Sequence, residues 1–378
     1  MAYTIGVPKE TTSGERMVAL VPDVVTRLAK AGATINVEAG AGSSAHYPDA
    51  EFEKAGATIT SREDAFASDI VVKVKPPSED EISLLREGAA YIGFMNPLDD
   101  PGVSASIAKR GTTALSMEMV PRISRAQKMD ALSALSSIGG YRAVLVAAAA
   151  LPKFFPLLTT AAGTVRPSNV LVLGAGVAGL QAIATAKRLG SKVSAYDIRD
   201  AVAEEVQSLG ASFVELEIEG QDSADSGGYA KELMAEKAKQ QVELLIPFIG
   251  KSDVVVSTAL IPGRKAPLLI SEDAVKAMGE GSIIVDMAAA NGGNCELTVP
   301  GETVVRHGVT IMGPTNLTAD MPVHASQLYA RTLLAMLQDF TDENGFAPND
   351  EDEVFTGSCI TRGGQVVNDR VKSLLNPS

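Results

Sequence analysis

NVLVLGAGVAGLQAIATAKRLGSKVSAYD, residues 169–197, reads as a strand, a glycine turn, a helix and a second strand. Residues 169–173, NVLVL, carry a short apolar run over 170–173, which suits a strand covered on both faces. Gly174-Ala175-Gly176-Val177-Ala178-Gly179 follows at once and opens a helix over 177–189. In such a turn the first glycine permits the tight bend and the second lets the backbone approach a pyrophosphate. The third lets the helix pack on the strand, while the amides of the helix N-terminus face the phosphates. The next strand, 192–196, ends at Asp197, 23 residues after Gly174, where a carboxylate accepts hydrogen bonds from an adenosine ribose. The hexapeptide alone serves any tight strand-to-helix turn, but strand, helix and spaced carboxylate together favour dinucleotide binding. A 2′-phosphate against Asp197 is repelled, which favours NAD over NADP, although Arg199 stands close enough to weaken that preference.

The same rhythm extends in both directions. Downstream, the pattern predicts a helix over 201–209, a strand over 254–257, a helix over 271–278 and strands over 282–285 and 310–312. Upstream it predicts strands over 4–7, 34–37, 70–74 and 91–94, with helices over 22–30, 49–55 and 78–85. Alternation of this kind makes βαβ units on parallel sheets, here two tandem α/β domains. Residues 124–150, broken only by Gly139 and Gly140, read as one or two helices crossing between the domains, and Pro152, Pro156, Gly163 and Pro167 make a linker. A helix over 325–340 is expected, but periodicity does not decide which domain it joins. ELEIEGQDSADSGG, residues 215–228, is acidic and aperiodic: a lid, a partner-binding arm, a disordered segment or a plain solvated loop.

A chain of 378 residues with 46% hydrophobic and 21% charged residues and mean hydropathy +0.12 is neither a disordered nor an integral membrane protein by composition. Thirty-three basic against 46 acidic residues leave a charge of −13, and with 4% aromatics and no Trp the cationic surface and stacking platforms of nucleic-acid binders are scarce. Cys295, Cys359, His46, His307 and His324 form no disulfide framework and no metal-ligand spacing, so no metal is expected. The longest apolar run, 143–152, is half the ~20 residues of a spanning helix, and MAYTIGVPKE has no basic region leading into an apolar one. The expectation is a chain without direct membrane insertion, reaching a membrane only through a partner.

A polar cluster runs from Arg122 to Ser133 and includes Arg125, Gln127, Lys128 and Asp130. It is either a ligand edge at a domain junction or an ordinary polar helix start with Ser124 as N-cap. Lys73 and Lys75 end a buried-looking strand; they suit a substrate carboxylate, although lysines at strand ends are commonly just solvated.

IGVPKE (5–10), ERMVALVPDVV (15–25), MVPRISRAQKMDALS (119–133), GYRAV (140–144), TAAGTV (160–165), GGYAKE (227–232), TALIPGRKAP (258–267) and NGGNCELTVPGE (291–302) join the glycine loop in a pattern along nearly the whole chain. The chain thereby resembles the NAD(H)-binding alpha subunits, or domain I, of proton-translocating nicotinamide nucleotide transhydrogenases, and more distantly alanine dehydrogenases. The resemblance implies an α/β fold of two Rossmann-like, doubly wound parallel-sheet domains with an NAD cleft between them. It places residues 1–135 plus 326–378 in the first domain and 136–325 in the NAD(H)-binding one. It also implies a homodimer, and a chain ending at Ser378 without hydrophobic helices resembles the separate soluble form. That form is cytoplasmic and peripheral on the inner membrane through NADP(H)-binding and membrane-spanning partner subunits.

By the same resemblance, Arg122, Gln127, Asp130 and Ser133 hold the nicotinamide and its ribose, with Gln127 turning C4 toward a second nicotinamide held as NADP(H) on the partner. Gly174, Gly176, Val177, Gly179, Asp197, Ile198 and Arg199 form the pyrophosphate and adenosine end. Gly227, Gly228 and Tyr229 close over bound NAD(H), and Leu260 lines the pocket. Hydride transfer between two nicotinamides needs no general acid or base, only near-attack geometry and exclusion of water. An amino-acid dehydrogenase needs a carboxylate clamp and proton transfer. The chain matches the alanine dehydrogenase arginine and lysine at Arg16 and Lys75, but no histidine stands within 91–97, and Asp286 is followed by Met287-Ala-Ala-Ala-Asn291 without the further aspartate. An amino-acid dehydrogenase and a non-catalytic NAD(H)-binding module are the alternatives.

Overall fold

Strand-forming runs of Val, Ile and Leu, each followed by a helix, assemble here into two mostly parallel sheets. The structure, a computed structural model, describes residues 3–217, 228–260 and 263–376. The chain divides into two compact units, 1–135 with 318–378, and 136–317. The second crossing falls at 317/318 rather than the expected 325/326, because the helix Pro322–Phe340 belongs whole to the first unit. There Tyr329 Oη donates to the Lys73 carbonyl at 2.7 Å and its ring stacks on Phe94.

In the second unit the sheet runs Ser212–Phe213, Lys192–Tyr196, Asn169–Leu173, Val254–Ser257, Ile283–Asp286, Val309–Met312, all parallel, with Thr303–Arg306 antiparallel at the edge. Counting strands as the chain makes them, the parallel order is 3-2-1-4-5-6. The apolar run 170–173 is continuous because both faces are covered. Val170 and Val172 pack with Ala143, Val144 and Ala147 of one helix and Ala182, Ile183 and Ala186 of another, while Leu171 and Leu173 meet Leu245, Ile249, Ala274 and Val275.

The first unit repeats the order: Ala57–Thr60, Thr34–Glu38, Thr4–Val7, Ile70–Val72, Ala90–Gly93, Thr113–Ser116 are parallel. Cys359–Arg362 and Gln365–Val366, from the chain's return, extend it as antiparallel edge strands. Each sheet therefore has its topological switch between its first and fourth strands, the place where open α/β sheets bind ligands at the strands' carboxyl ends.

Several elements differ from expectation. The stretch 152–167 is not a plain linker: Leu158–Thr160 and Gly163–Val165 pair as a hairpin, with Thr159 opposite Thr164. The helix Gly228–Gly250 fills a stretch where no element was expected, burying Leu245 and Ile249. Gly139 and Gly140 do not break the helix Ala131–Ala150. A Cβ at Gly140 would stand 2.0 Å from the Ala178 carbonyl oxygen, so glycine there allows two helices to touch. That 20-residue helix is the one among the described residues long and apolar enough on average to cross a membrane, twice the length of the apolar run read from sequence. Helical geometry joins Ser and Gly positions to the alanine-rich end, and Ala143, Val144 and Ala147 lie in the core of the second unit.

Candidate functional site

Parallel register sets the site of the second unit. Tyr196 and Ser257 both lie level with Leu173, so Asp197, Gly174 and Thr258 are the first residues past one shared edge. Gly174 has φ +97°, a left-handed conformation that glycine adopts without strain. Its amide donates to the Tyr196 carbonyl at 2.8 Å, and Thr258 Oγ1 donates to the Gly174 carbonyl at 3.1 Å. A Cβ at Gly179 would lie 1.8 Å from the Gly174 oxygen, so the third glycine is a packing requirement. Gly176 is different. It caps the helix Val177–Arg188, is exposed, and a Cβ built on it meets nothing within 4 Å. The open face at the N-terminus of a 12-residue helix is a cradle for an anion such as a pyrophosphate, which a side chain would fill.

Asp197 is 8% exposed. It accepts hydrogen bonds from the Ala175 amide at 2.7 Å, the Arg199 amide at 2.9 Å and the Arg199 guanidinium at 2.9 Å on each oxygen. Burial pushes its carboxyl up, but the Arg199 and Ala175 hydrogen bonds outweigh burial and hold it below the ordinary carboxylate range. Burial and the adjoining Asp197 and Asp200 raise the Tyr196 phenol to about 12, so it stays protonated. Val177, Ile198 and Leu260 are 44%, 71% and 49% exposed, apolar side chains carried by segments that follow three neighbouring strands. Gly174, Gly176, Val177, Gly179, Asp197, Ile198, Arg199 and Leu260 thus gather at one sheet edge. Gly227 lies outside the described residues, as does most of the acidic segment, and of Tyr229 only the backbone, in the helix Gly228–Gly250, is described.

Two further groups, neither given a role at this edge by the sequence, shape it. Asn294 is fully buried; its amide donates to the carbonyls of Ala259 at 2.9 Å and Pro267 at 2.7 Å, pinning both ends of the segment that carries Leu260. Ser257 Oγ donates to the Asn294 side chain at 2.6 Å. Asp286 accepts from the amides of Ala288, Asn294 and Cys295 and from Thr298 Oγ1 at 2.7–3.0 Å. The polar NGGNC run after an apolar strand was the available signal: a buried carboxylate needs several donors, and successive loop amides supply them.

The first unit holds the other predicted residues. Residues 124–129 form a 3-10 turn with Ala126 and Met129 buried and Arg122 and Gln127 exposed. Ser124 is not its cap. Asp130 instead accepts the Ser133 amide at 2.9 Å and its hydroxyl at 2.6 Å, the N-cap pattern at the start of the helix Ala131–Ala150. Arg125 holds Asp352 with contacts at 2.6 and 2.7 Å and Lys128 holds Asp339 at 2.9 Å, so the turn is tied down on either side of Gln127.

Lys73 is not solvated: it is 1% exposed, with Nζ 3.3 Å from Glu10 and 3.1 Å from Glu81. Lys75 is paired with Glu15 at 3.5 Å, and Arg16 is exposed. Among the described residues no group of three or more His, Cys, Asp or Glu is arranged to hold a metal.

The alanine dehydrogenase/PNT family matches the chain twice, its N-terminal domain over residues 6–139 and its C-terminal domain over 143–369. Over 374 residues the chain is 45% identical to an NAD(P) transhydrogenase alpha-subunit polypeptide of Rhodospirillum rubrum, covering 96% of this chain and 97% of that one. The fold superposes on a solved transhydrogenase from Sinorhizobium meliloti with TM-score 0.85 and 38% identity, covering 97% and 99% of the two chains. An L-alanine dehydrogenase structure gives TM-score 0.83 at 25% identity, covering 98% and 99%.

Proposed function

The chain belongs to the alanine dehydrogenase/PNT family, and from that premise we propose that it is the NAD(H)-binding component of a proton-translocating NAD(P) transhydrogenase. NADH bound here gives the hydride of its C4 to NADP⁺ on a partner subunit, leaving NAD⁺ and NADPH, and membrane partners couple the transfer to proton movement. The observation that carries the reading is the open face at Gly176, beside a third glycine that packing demands and an ionised Asp197. Helix-terminal amides hold the pyrophosphate, Asp197 accepts from the ribose, and Val177, Ile198 and Leu260 supply apolar surface to the nucleotide. Arg122, Gln127, Asp130 and Ser133 take the nicotinamide end, with Gln127 orienting C4. Gly227 and Tyr229 belong to the same nucleotide site.

A homodimer fits the hairpin 158–165, which carries exposed Val165 and is preceded by exposed Phe154 and Leu157. Peripheral placement on the cytoplasmic face of the membrane, through partner subunits, completes the proposal. With a charge of −13, docking on a basic partner face weakens as salt rises.

The test is NADH oxidation by the full chain, with an NADP-binding transhydrogenase subunit and NADP⁺ in one assay, and pyruvate with ammonia in another. Turnover in the first supports the reading, and Gln127→Ala then slows transfer while NADH affinity stays nearly unchanged; unaltered transfer removes Gln127 from the site. The second reading, an amino-acid dehydrogenase, is favoured by the likeness to L-alanine dehydrogenase and by Arg16 and Lys75; turnover in the second assay selects it. NADH binding with silence in both selects a non-catalytic NAD(H)-binding module.

A further inference from the structure

A carboxylate has two oxygens and about four lone-pair positions. On Asp197 the protein occupies all of them: Oδ1 accepts from the amide and Nε of Arg199, and Oδ2 from the amide of Ala175 and Nη2 of Arg199. Two of these donors are backbone groups of the tight turns and stay in place. The other two belong to a guanidinium whose side chain is 58% exposed and is free to swing into water. A ribose diol that donates to Asp197 therefore has one way in, exchanging places with Nε and Nη2.

The geometry points to Arg199 as the specificity-determining residue of the nucleotide site, competing with an unmodified ribose for Asp197 and serving as counter-charge to a 2′-phosphorylated one. The inference rests on the dinucleotide reading of the glycine loop and deepens it. Two chemical consequences run in opposite directions. Removing the guanidinium leaves Asp197 with two vacant acceptor positions for ribose hydroxyls, so NADH binds without first breaking a bidentate ion pair. The same removal leaves a 2′-phosphate facing an uncompensated carboxylate, so NADPH loses the cation that made it tolerable.

The experiment is direct titration of the full chain and of Arg199→Ala with NADH and with NADPH, followed by nucleotide fluorescence. The expected result is NADH bound about 3- to 10-fold more tightly by R199A and NADPH bound about 10-fold more weakly. R199K, which keeps the charge but loses the planar fork, falls between. R199Q serves as the second variant should R199A unfold. NADH affinity unchanged or weakened in a variant with a native unfolding midpoint overturns the inference. A wild-type chain that binds no NADH overturns the glycine-loop reading and the inference together, and so differs from one that binds NADH but ignores the substitution.

Discussion

The two units carry sheets of the same strand order and treat their switch points in opposite ways. At the switch of the second sheet the chain goes from Leu173 into Gly174–Gly179, leaving an open helix N-terminus ringed by exposed Val177, Ile198 and Leu260. At the switch of the first sheet it goes from Val7 into Pro8-Lys9-Glu10, and the space is filled by the protein's own charges. Lys73 joins Glu10 to Glu81, and Arg62 holds Glu81 at 2.6 Å. The fold offers a crevice twice, and the residues at the strand ends decide whether it stays open or is closed by a salt bridge.

The carboxylates show the same contrast. Glu10 is so buried that desolvation prevails over the attraction of Lys73, and its carboxyl is raised. Glu81, penalised by burial as well, is nonetheless lowered by Lys73 and the Ser78 amide. Asp197 is lowered, because Arg199 and two amides outweigh its desolvation.

The largest effect is expected where the crevice is filled. Lys73→Ala leaves Glu10 and Glu81 buried without their shared cation and costs about 3–5 kcal/mol, read from urea unfolding midpoints; a loss below about 1 kcal/mol would make the pair a surface-like contact.

Next come the glycines of the open crevice, which separate packing from binding. Gly179→Ala drives a methyl into the Gly174 carbonyl and costs about 2–3 kcal/mol. Gly176→Ala leaves the unfolding midpoint almost unchanged yet weakens NADH by about tenfold or more. Calorimetry with and without NADH distinguishes them, and equal effects on both readouts would break the comparison.

Asp197→Asn costs about 1–2 kcal/mol at neutral pH, less than a fully buried pair because Arg199 is largely exposed. Since the folded carboxyl lies below its unfolded value, this contribution is complete above the ordinary carboxylate range and is lost as pH falls through the depressed folded value. The gap between wild type and D197N in denaturant midpoint closes in that acid window. Glu10 has the opposite sign: the fold favours its protonated form, so stability from that group declines as pH rises from the unfolded toward the raised folded value.

The smallest effect is Ser78→Ala. Ser78 and Glu81 form a capping box at the helix Glu79–Leu84, and losing the hydroxyl costs about 1 kcal/mol, without change in NADH affinity.

Much of the fold was legible because buried parallel strands leave apolar runs between helical patterns. The strand Asn169–Leu173 and the helix Pro22–Lys30 match their expected bounds. The strand Ala57–Thr60 and the edge strand Cys359–Arg362 escaped, since a short or edge strand owes its conformation to its partner's hydrogen bonds, and the helix Pro101–Lys109 escaped because its small residues give only a weak apolar face. The site divides likewise. The glycines and Asp197 stand in local spacing that can be counted along the chain. Asp286 acts from another strand and Thr258 and Asn294 from segments that follow other strands, and their role depends on how those strands line up.

The amino-acid sequence by itself determined the glycine loop, the carboxylate 23 residues on, the two α/β series and the family resemblance, because each rests on neighbours within a few tens of residues. Only the tertiary structure decided that Lys73 is a buried structural cation rather than a solvated one and that Asp130 rather than Ser124 caps its helix. It alone decided that Gly139 and Gly140 lie inside a continuous helix, where Gly140 allows close packing, and that Arg199 fills the acceptor positions of Asp197. Burial, hydrogen-bond saturation and close approach are properties of what surrounds a residue in space, and the order of residues along a chain does not carry them.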